Sequence, residues 1–149
     1  MNFMSKPMLK FKIVTPEKTV FEEQVEQATL TTSSGQITIL PNHVNYIASL
    51  IPGEAMIKKD GKEIYLSISG GFIEFNSNTL TVLADTAERA DEIDLVRAEE
   101  ARKKAEELKN KTISMNEEEY ARVAVAIQKE SARISVAKKH HTKRGLKME

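Results

Sequence analysis

Short runs of alternating apolar and polar residues fill the first 90 positions of the chain. In the first run Leu9, Phe11 and Ile13 alternate with lysines, which places the apolar side chains on one face of an extended strand. Asp60-Gly61 and Asn76-Ser77-Asn78 each separate two such runs and predict two β-hairpins. With further extended runs at 25–32, 35–40 and 46–51, the pattern predicts about eight to ten strands in a compact antiparallel sandwich.

After Asp91 the apolar period changes from two residues to about 3.6, which predicts helices. The first helix runs from Asp94 to Lys111, and its apolar stripe consists of Ala98, Ala101, Ala105 and Leu108. The second helix continues to about Lys138, and its stripe consists of Tyr120, Val123, Ile127, Ser131 and Ile134.

The two patterns together predict an α+β fold in two parts. An N-terminal antiparallel β-sandwich of about ten strands covers residues 8–90, and a C-terminal antiparallel two-helix hairpin covers residues 91–138. Either Ser114 or Asn116 can cap the second helix, and the short connection between the helices lets them fold back on each other. Residues 1–7 are predicted to be a flexible leader and residues 139–149 a basic flexible tail.

Composition and motifs exclude several classes of function. The 149 residues carry 22 basic and 22 acidic side chains, and this neutral balance argues against a generally basic nucleic-acid binder. The absence of Cys excludes disulfides and thiolate chemistry, and the chain contains no nucleotide-binding glycine motif, HExxH or GxSxG. The three histidines do not form a plausible metal site. We therefore predict a protein that has no catalytic residues, no metal and no required cofactor.

The second helix has a strong charge gradient. From residue 120 onward there are eight basic and two acidic side chains, after a start with three glutamates. Matching of the helix dipole and solubility explain such a gradient. The alternative is a basic helix that docks on an acidic surface, and a free-standing adaptor for an acidic protein or nucleic acid is the second candidate function. No aromatic residues interleave with these charges, which disfavours nucleic acid as the partner.

The alanine seam between the helices is a weak interface. Ala98, Ala101 and Ala105 each bury one methyl group, at about 0.8 kcal/mol per buried carbon. A hairpin with so little packing can open when a ligand or partner discriminates between the two forms by the ~1–3 kcal/mol that is typical of allosteric coupling. We therefore predict that the C-terminal half is a switch on a fixed sandwich.

Five local strings, in this order and on this two-part plan, resemble the epsilon subunit of the F-type ATP synthase. The resemblance covers about residues 8–138. The strings are LKFKIVTP from Leu9, GQITILPNH from Gly35, SGGFIE from Ser69, VLADTAE from Val82 and EIDLVRAE from Glu92.

The resemblance implies a rotor subunit of the central stalk that couples rotation of the c-subunit ring to the gamma subunit. The loop of the family that faces the ring matches Ser34, Gly35 and Gln36, together with the turn Pro41, Asn42 and His43. Members of the family often have Glu at the position of Gln36. The resemblance therefore implies the location of the ring-facing loop, but not a particular ionic contact between residue 36 and the ring. The resemblance implies that the protein is peripheral to the membrane, on the cytoplasmic face of the bacterial inner membrane.

The resemblance also implies regulation by the C-terminal helices. In the family these helices can leave the sandwich, extend along gamma and block ATP hydrolysis. The basic residues that would then meet a carboxylate-rich segment of the beta subunit are Arg122, Lys129 and Arg133.

Some bacterial relatives bind ATP on the folded hairpin as a regulatory ligand. The matching positions are Glu88, Asp94, Arg97, Ala98 and Arg133. Two further positions where nucleotide-binding members carry Arg have lysines here, Lys104 and Lys129, and Lys offers a point charge in place of a bidentate fork. Helix capping and salt bridges are the alternative roles of the same residues.

Overall fold

The structure is a computed structural model that describes residues 5–111 and 116–146. Ten strands come first, and two helices, α1 (Leu95–Lys111) and α2 (Glu117–Leu146), follow a short 3-10 turn at Ala90–Glu92. The strands are β1 (Leu9–Val14), β2 (Thr19–Val25), β3 (Gln27–Thr32), β4 (Gly35–Ile39), β5 (Tyr46–Leu50), β6 (Gly53–Lys59), β7 (Lys62–Ile68), β8 (Gly71–Asn76), β9 (Thr79–Ala84) and β10 (Ala87–Arg89).

The strands form a sandwich, as the alternating pattern predicts. The sheet order is β10-β7-β6-β3-β5-β8-β9-β1-β2, and β4 pairs with β3. A single residue pair, Thr32 with Leu50, joins β3 to β5 and links the two layers. Both predicted hairpins form, as β6–β7 around Asp60-Gly61 and β8–β9 around Ser77-Asn78.

One strand pair departs from the antiparallel expectation. β1 lies parallel to β9, with Phe11 paired with Leu80 and Ile13 with Val82, whereas the other strand pairs are antiparallel. A parallel neighbour requires a long connection, and here the whole segment between β1 and β9 provides it. The fold class stands, with this one parallel pair.

Alternate residues of the strands fill the space between the layers. Phe11 and Phe21 pack edge to face, with ring centroids 5.6 Å apart. The fully buried side chains of this core include Leu9, Ile13, Val25, Leu30, Ile57, Leu66, Ile73, Phe75, Leu80 and Val82. No residue of α1 or α2 belongs to this core, so the sandwich is a separate packing unit among the described residues.

Both helices begin at side-chain caps. The backbone N–H of Arg97 donates to Asp94 Oδ1 at 3.1 Å, and the N–H of Glu119 donates to Asn116 Oδ1 at 2.8 Å. Asn116 therefore caps α2, while the other candidate, Ser114, and the connection 112–114 lie outside the described residues.

The predicted end of α2 near Lys138 is wrong, because the helix continues to Leu146. The added turns lack an apolar period, so the pattern gave no signal for them. Lysine and arginine are nevertheless good helix formers, and positive charge near a C-terminus is favoured by the helix dipole. Gly145 lies beside the end, where glycine commonly terminates helices.

The leader is tied to the sandwich at Lys6, whereas residues 1–4 lie outside the described part of the chain. Lys6 Nζ donates to Glu26 Oε2 at 3.0 Å, and the backbone N–H of Gly61 donates to Glu26 Oε1 at 3.2 Å. The hydrogen bond from Lys6 lowers the pKa of Glu26 below its usual value, with a smaller contribution from the Gly61 N–H and an opposing one from burial.

The hairpin packs tightly only at the end near the sandwich. Ala98, Ala105 and Ile134 are buried as predicted, but Leu108 is 56% exposed and Tyr120 48% exposed, which corrects their predicted place in the seam. The Lys109 ammonium lies over the Tyr120 ring, 5.3 Å from its centroid. The far end of the hairpin is therefore held mainly by polar contacts.

No helix in the described residues combines the length and the apolar character needed to cross a bilayer.

Candidate functional site between the helical hairpin and the sandwich

Residues 133–139 of α2 lie against strands β6 and β7 and against the 3-10 turn, and they form the docked face of the hairpin. Val136 and Ala137 are fully buried there and pack with Ala90 and Ile93. The edges of this small apolar patch are polar. The docked state of the hairpin thus combines limited apolar burial with ionic contacts.

Arg133 forms the strongest of these contacts. Its Nε donates to Glu88 Oε2 at 2.6 Å, its second terminal nitrogen lies 3.4 Å from Glu88 Oε1, and its first donates to Glu130 Oε2 at 2.8 Å. Glu88 belongs to β10, so this fork ties α2 to the sandwich.

The charge of this arginine is secure. Burial lowers the pKa of Arg133, but hydrogen bonds and charge interactions with Glu88 and Glu130 raise it by more. The pKa of Arg133 is therefore above its ordinary value. Arg133 is therefore a permanent cation held between two carboxylates. An anionic ligand that reached it would compete with Glu88 and Glu130.

The structure brings some of the predicted ATP-binding residues together. Glu88 and Arg133 are in direct contact, and Arg97 Nε lies 3.6 Å from Asp94 Oδ2. Ala98 is fully buried, so it contributes packing between the helices. In this structure the residues perform the capping and salt-bridge roles that the sequence left as the alternative.

The three predicted beta-subunit contacts differ in availability. Arg122 is exposed and pairs with Glu118 one helical turn away, at 3.0 Å. Lys129 is half-buried, and Arg133 is engaged by Glu88 and Glu130 as described. Arg133 can meet another protein only after α2 leaves the sandwich.

The predicted ring-facing residues lie in two turns at opposite ends of β4. Ser34 and Gly35 belong to the β3–β4 turn, which Thr32 Oγ1 stabilises by donating to the Gly35 carbonyl at 2.6 Å. His43 follows β4 and packs edge-on against Phe75, with ring centroids 5.8 Å apart. Five strand residues separate the turns by roughly 17 Å, so both can touch one surface only if β4 lies along it.

Asn42 at this second turn has a positive φ of 64°. Its N–H donates to Asn78 Oδ1 at 2.9 Å, and Asn78 in turn donates to the carbonyl of Met8 at 2.8 Å. These bonds fix the Pro41–His43 turn to the β8–β9 hairpin and to the start of β1. The predicted contact residues are thus rigidly mounted.

A second exposed surface lies on the outer side of β5, β8 and β9. Phe72 and Leu83 are direct partners across β8 and β9 and are 62% and 56% exposed. Ile47, on the neighbouring strand, is 75% exposed, and Val44 just before β5 is exposed as well. Ile47 is paired with Glu74 and Phe72 with Ser49, so Ile47 and Phe72 are diagonal neighbours on one face of the sheet. Exposed apolar side chains grouped in such a strip are typical of a protein interface.

Sequence reasoning missed several residues of the docked face. Glu54 accepts hydrogen bonds from Ser135 Oγ and Lys139 Nζ, and the Lys139 ammonium lies 5.4 Å from the centroid of the Tyr65 ring. The available signal was the pair Val136-Ala137, which widens the apolar face of α2 beyond one stripe and indicates a second packing partner.

Within residues 5–111 and 116–146, no cluster of three or more metal-binding side chains occurs.

Comparison with known proteins matches this architecture along almost its whole length. The β-sandwich domain of the ATP synthase delta/epsilon chain matches residues 8–90, and the long α-helix domain of the same chain matches residues 91–138. An ATP synthase epsilon chain from Levilactobacillus brevis is 45% identical over 132 residues, which are 88% of this chain and 95% of the relative. One from Herpetosiphon aurantiacus is 42% identical over 130 residues, covering 87% and 94%.

Solved structures show the same fold. A chain in the Euglena gracilis mitochondrial ATP synthase, from a structure of OSCP, F1 and the c-ring, superposes with a TM-score of 0.72 at 21% identity, covering 89% of this chain and 83% of that one. A chain from the central stalk and c-ring of the Tetrahymena thermophila enzyme gives a TM-score of 0.62 at 16% identity, covering 92% and 98%.

Fold and matched domains define the class, a sandwich-plus-hairpin subunit of the ATP synthase delta/epsilon type. Within that class, the chain belongs to the family of epsilon subunits of the F-type ATP synthase. The resemblance seen in the sequence strings is thereby confirmed, and it outweighs the alternative of a free-standing adaptor.

Proposed function

We propose that this epsilon subunit is a non-catalytic part of the rotor, which couples the c-ring to gamma and restrains ATP hydrolysis through its C-terminal helices. The observation that carries the regulatory part is the contrast between two packing units. The sandwich has a large core of its own, whereas α2 docks through a small cluster that is flanked by ionic contacts. In this cluster Val136 and Ala137 pack with Ala90 and Ile93, and Tyr65 and Leu95 are partly buried beside them. A partner can therefore remove the hairpin without unfolding the sandwich.

Gamma is the partner that we assign to the exposed apolar strip at Val44, Ile47, Phe72 and Leu83. This strip lies on β5, β8 and β9, whereas α2 packs on β6, β7 and the turn after β10. The sandwich can thus bind a stalk partner through the strip while the hairpin stays docked elsewhere. Removal of the strip should weaken binding to gamma, because apolar area buried in the interface would be lost.

The c-ring is the second partner, and β4 with its two flanking turns is the surface that we assign to it. β4 pairs only with β3, and Gln36 and Thr38 point away from the core. Ser34, Gly35, Pro41, Asn42 and His43 complete this surface. The subunit would then lie at the membrane periphery, on the cytoplasmic face of the bacterial plasma membrane.

In the inhibitory form, α2 would leave the sandwich and extend toward the catalytic subunits. Its 30 residues span about 45 Å at 1.5 Å per residue. This is longer than the helix that the sequence pattern predicted, which ended near Lys138. Release frees Arg133 from Glu88, so that it can join Arg122 and Lys129 against an acidic segment of the beta subunit. Exposed ion pairs contribute only ~0.2–1 kcal/mol each, so inhibition should need several and weaken in salt.

ATP is the regulatory ligand that we assign to the closed form. Asp94 and Glu88 can accept hydrogen bonds from adenine or ribose, and Arg97 and Arg133 can donate hydrogen bonds to phosphate oxygens. Because Arg133 is already held by two carboxylates, a phosphate must share or displace them, which favours weak binding.

Hydrolysis of ATP by the matching catalytic sector, stripped of this subunit, tests the proposal. We expect the full-length chain to inhibit and a chain ending at Asp91 to bind gamma without inhibiting. Equal rates with both chains, while both bind gamma, would overturn the regulatory part but leave the coupling role. Failure of the full-length chain to bind gamma would overturn the rotor assignment.

A further inference from the structure

Two cations on α2 form ion pairs with two carboxylates on the sandwich, and one of these cations lies outside the segment that matches the family's helix domain. That domain ends at residue 138, whereas Lys139 is one residue beyond it and contacts Glu54. Arg133 contacts Glu88, on the other side of the docked face. The two contacts therefore hold α2 at two separate points.

The two carboxylates are placed by sheet register. Ser67 of β7 pairs with Glu54 of β6 on one side and with Glu88 of β10 on the other. Residues paired in this way project from the same face of a sheet. Adjacent strands are about 4.8 Å apart, so the backbones of Glu54 and Glu88 are separated by roughly 10 Å across β7.

The two cations are placed by helix geometry. Lys139 lies six positions after Arg133, which corresponds to about 9 Å along the helix axis. Val136 lies midway between them, about 60° around the helix from each, and it is fully buried. The buried residue therefore sits in the centre of the docked face, with one cation on each flank.

We propose that Lys139, together with Glu54, Ser135 and Tyr65, is a second ionic lock that keeps the hairpin closed when no nucleotide is present. The spacing of the two cations along α2 is similar to the spacing of the two carboxylates across β6, β7 and β10, and both ion pairs form in the same docked position of the helix. Lys139 belongs to the part of α2 that follows residue 138, where the match to the family's helix domain ends. This part of the helix thus biases the chain toward the closed form. This inference rests on the proposed function only where it concerns inhibition, because docking is a property of the chain alone.

Docking can be measured directly in the full-length chain. Because the sequence contains no Cys, labels placed by Lys62→Cys on the sandwich and Ala121→Cys on α2 report the distance between them without background. Lys139→Ala should raise the undocked fraction about fivefold at low salt, the upper range for an exposed pair. A chain ending at Lys138 should show the same increase.

A charge swap separates the lock from general effects of charge. Lys139→Glu should undock the hairpin further, and Glu54→Lys combined with Lys139→Glu should restore most of the docking. Lys103→Glu is the matched control, because it changes the charge equally on an exposed residue of α1 that makes no hydrogen bond or ion pair within the described residues. Raising salt from about 0.05 M to about 0.5 M should undock the parent chain and affect Lys139→Ala less.

The proposal is wrong if Lys139→Glu behaves like Lys103→Glu, or if the swap restores nothing although circular dichroism shows a folded sandwich. These outcomes do not depend on hydrolysis. If docking responds as expected but inhibition by the full chain is absent, the lock stands and the inhibitory role fails. If docking is insensitive while the full chain still inhibits, the lock fails and the inhibitory role stands.

Discussion

Gly71 is a position in the sandwich where the backbone leaves no space for a side chain. It opens β8 with φ at 131°, and a Cβ built there would lie 1.9 Å from the Leu83 carbonyl oxygen of the paired strand. The Ser69-Gly70-Gly71 string is therefore a strand junction, with Asp85 N–H donating to the Gly70 carbonyl at 3.1 Å. The close approach of the Leu83 backbone explains why glycine is needed at this position.

Gly71→Ala should destabilise the protein by more than 3 kcal/mol, because it adds a steric clash to the ~1–3 kcal/mol of an unfavourable φ. Gly35→Ala is the control, since Gly35 also has a positive φ, at 118°, but nothing lies within 4 Å of its added Cβ. Urea unfolding of both variants gives the comparison. Equal losses of unfolding free energy would show that β8 and β9 relax around the methyl group.

Asp94 has two proposed roles, as the cap of α1 and as a ligand of ATP, and a different measurement tests each. As the cap of α1 it accepts from the Arg97 N–H, and Asp94→Ala should cost about 1 kcal/mol of helix stability, whereas Asp94→Asn should retain most of it. If Asp94 also binds ATP, calorimetric titration at millimolar ATP should show binding to the parent chain. Absence of heat in the parent would remove ATP as a ligand and leave capping alone.

At the scale of elements, strong periodic patterns were enough to predict most strands and both helices. β2 was not recognised, because consecutive glutamates break its alternation and only Phe21 and Val25 are buried. β10 is three residues long and carries no period at all. The docking of α2 depends on register between strands distant in sequence, Glu54 with Ser67 and Ser67 with Glu88, and no local pattern encodes that register.

The hairpin should open from its far end. Leu108 and Tyr120 are exposed there, whereas Ala98, Ile134 and Val136 are buried near the sandwich. Amide hydrogen exchange should therefore be faster in residues 105–111 and 117–125 than in residues 132–137, because local opening follows low apolar burial. Uniform protection along α2 would instead indicate that the whole hairpin opens as one unit.

At the scale of the whole molecule, two packing units share one small docked face. The sandwich core contains side chains from β1 to β9 and none from the helices, while the docked cluster adds only Ala90, Ile93, Val136 and Ala137. The sequence predicted the division into two parts from the change of period after Asp91. It could not predict the closed arrangement, since the ionic contacts that hold it join residues 45 and 85 positions apart.

A chain ending at Asp91 should keep the folded sandwich. We expect its thermal midpoint to lie within a few degrees of the full chain's, because the small docked patch contributes little of the total apolar burial. Thermal unfolding followed by circular dichroism checks this. A large drop would mean that α2 is part of the cooperative unit, and the same truncated chain could then not serve in the hydrolysis comparison.

The parallel pairing of β1 with β9 also sets the order of events during synthesis. Residues 10–14 cannot gain these partners until residues 79–83 have left the ribosome, so the sandwich closes late in its own translation. Glu88 follows within a few residues, and Arg133 emerges only after the sandwich has a surface to receive it. The sandwich can therefore fold before the hairpin has been synthesised. Docking of the hairpin on the sandwich is then the last step in the folding of the chain.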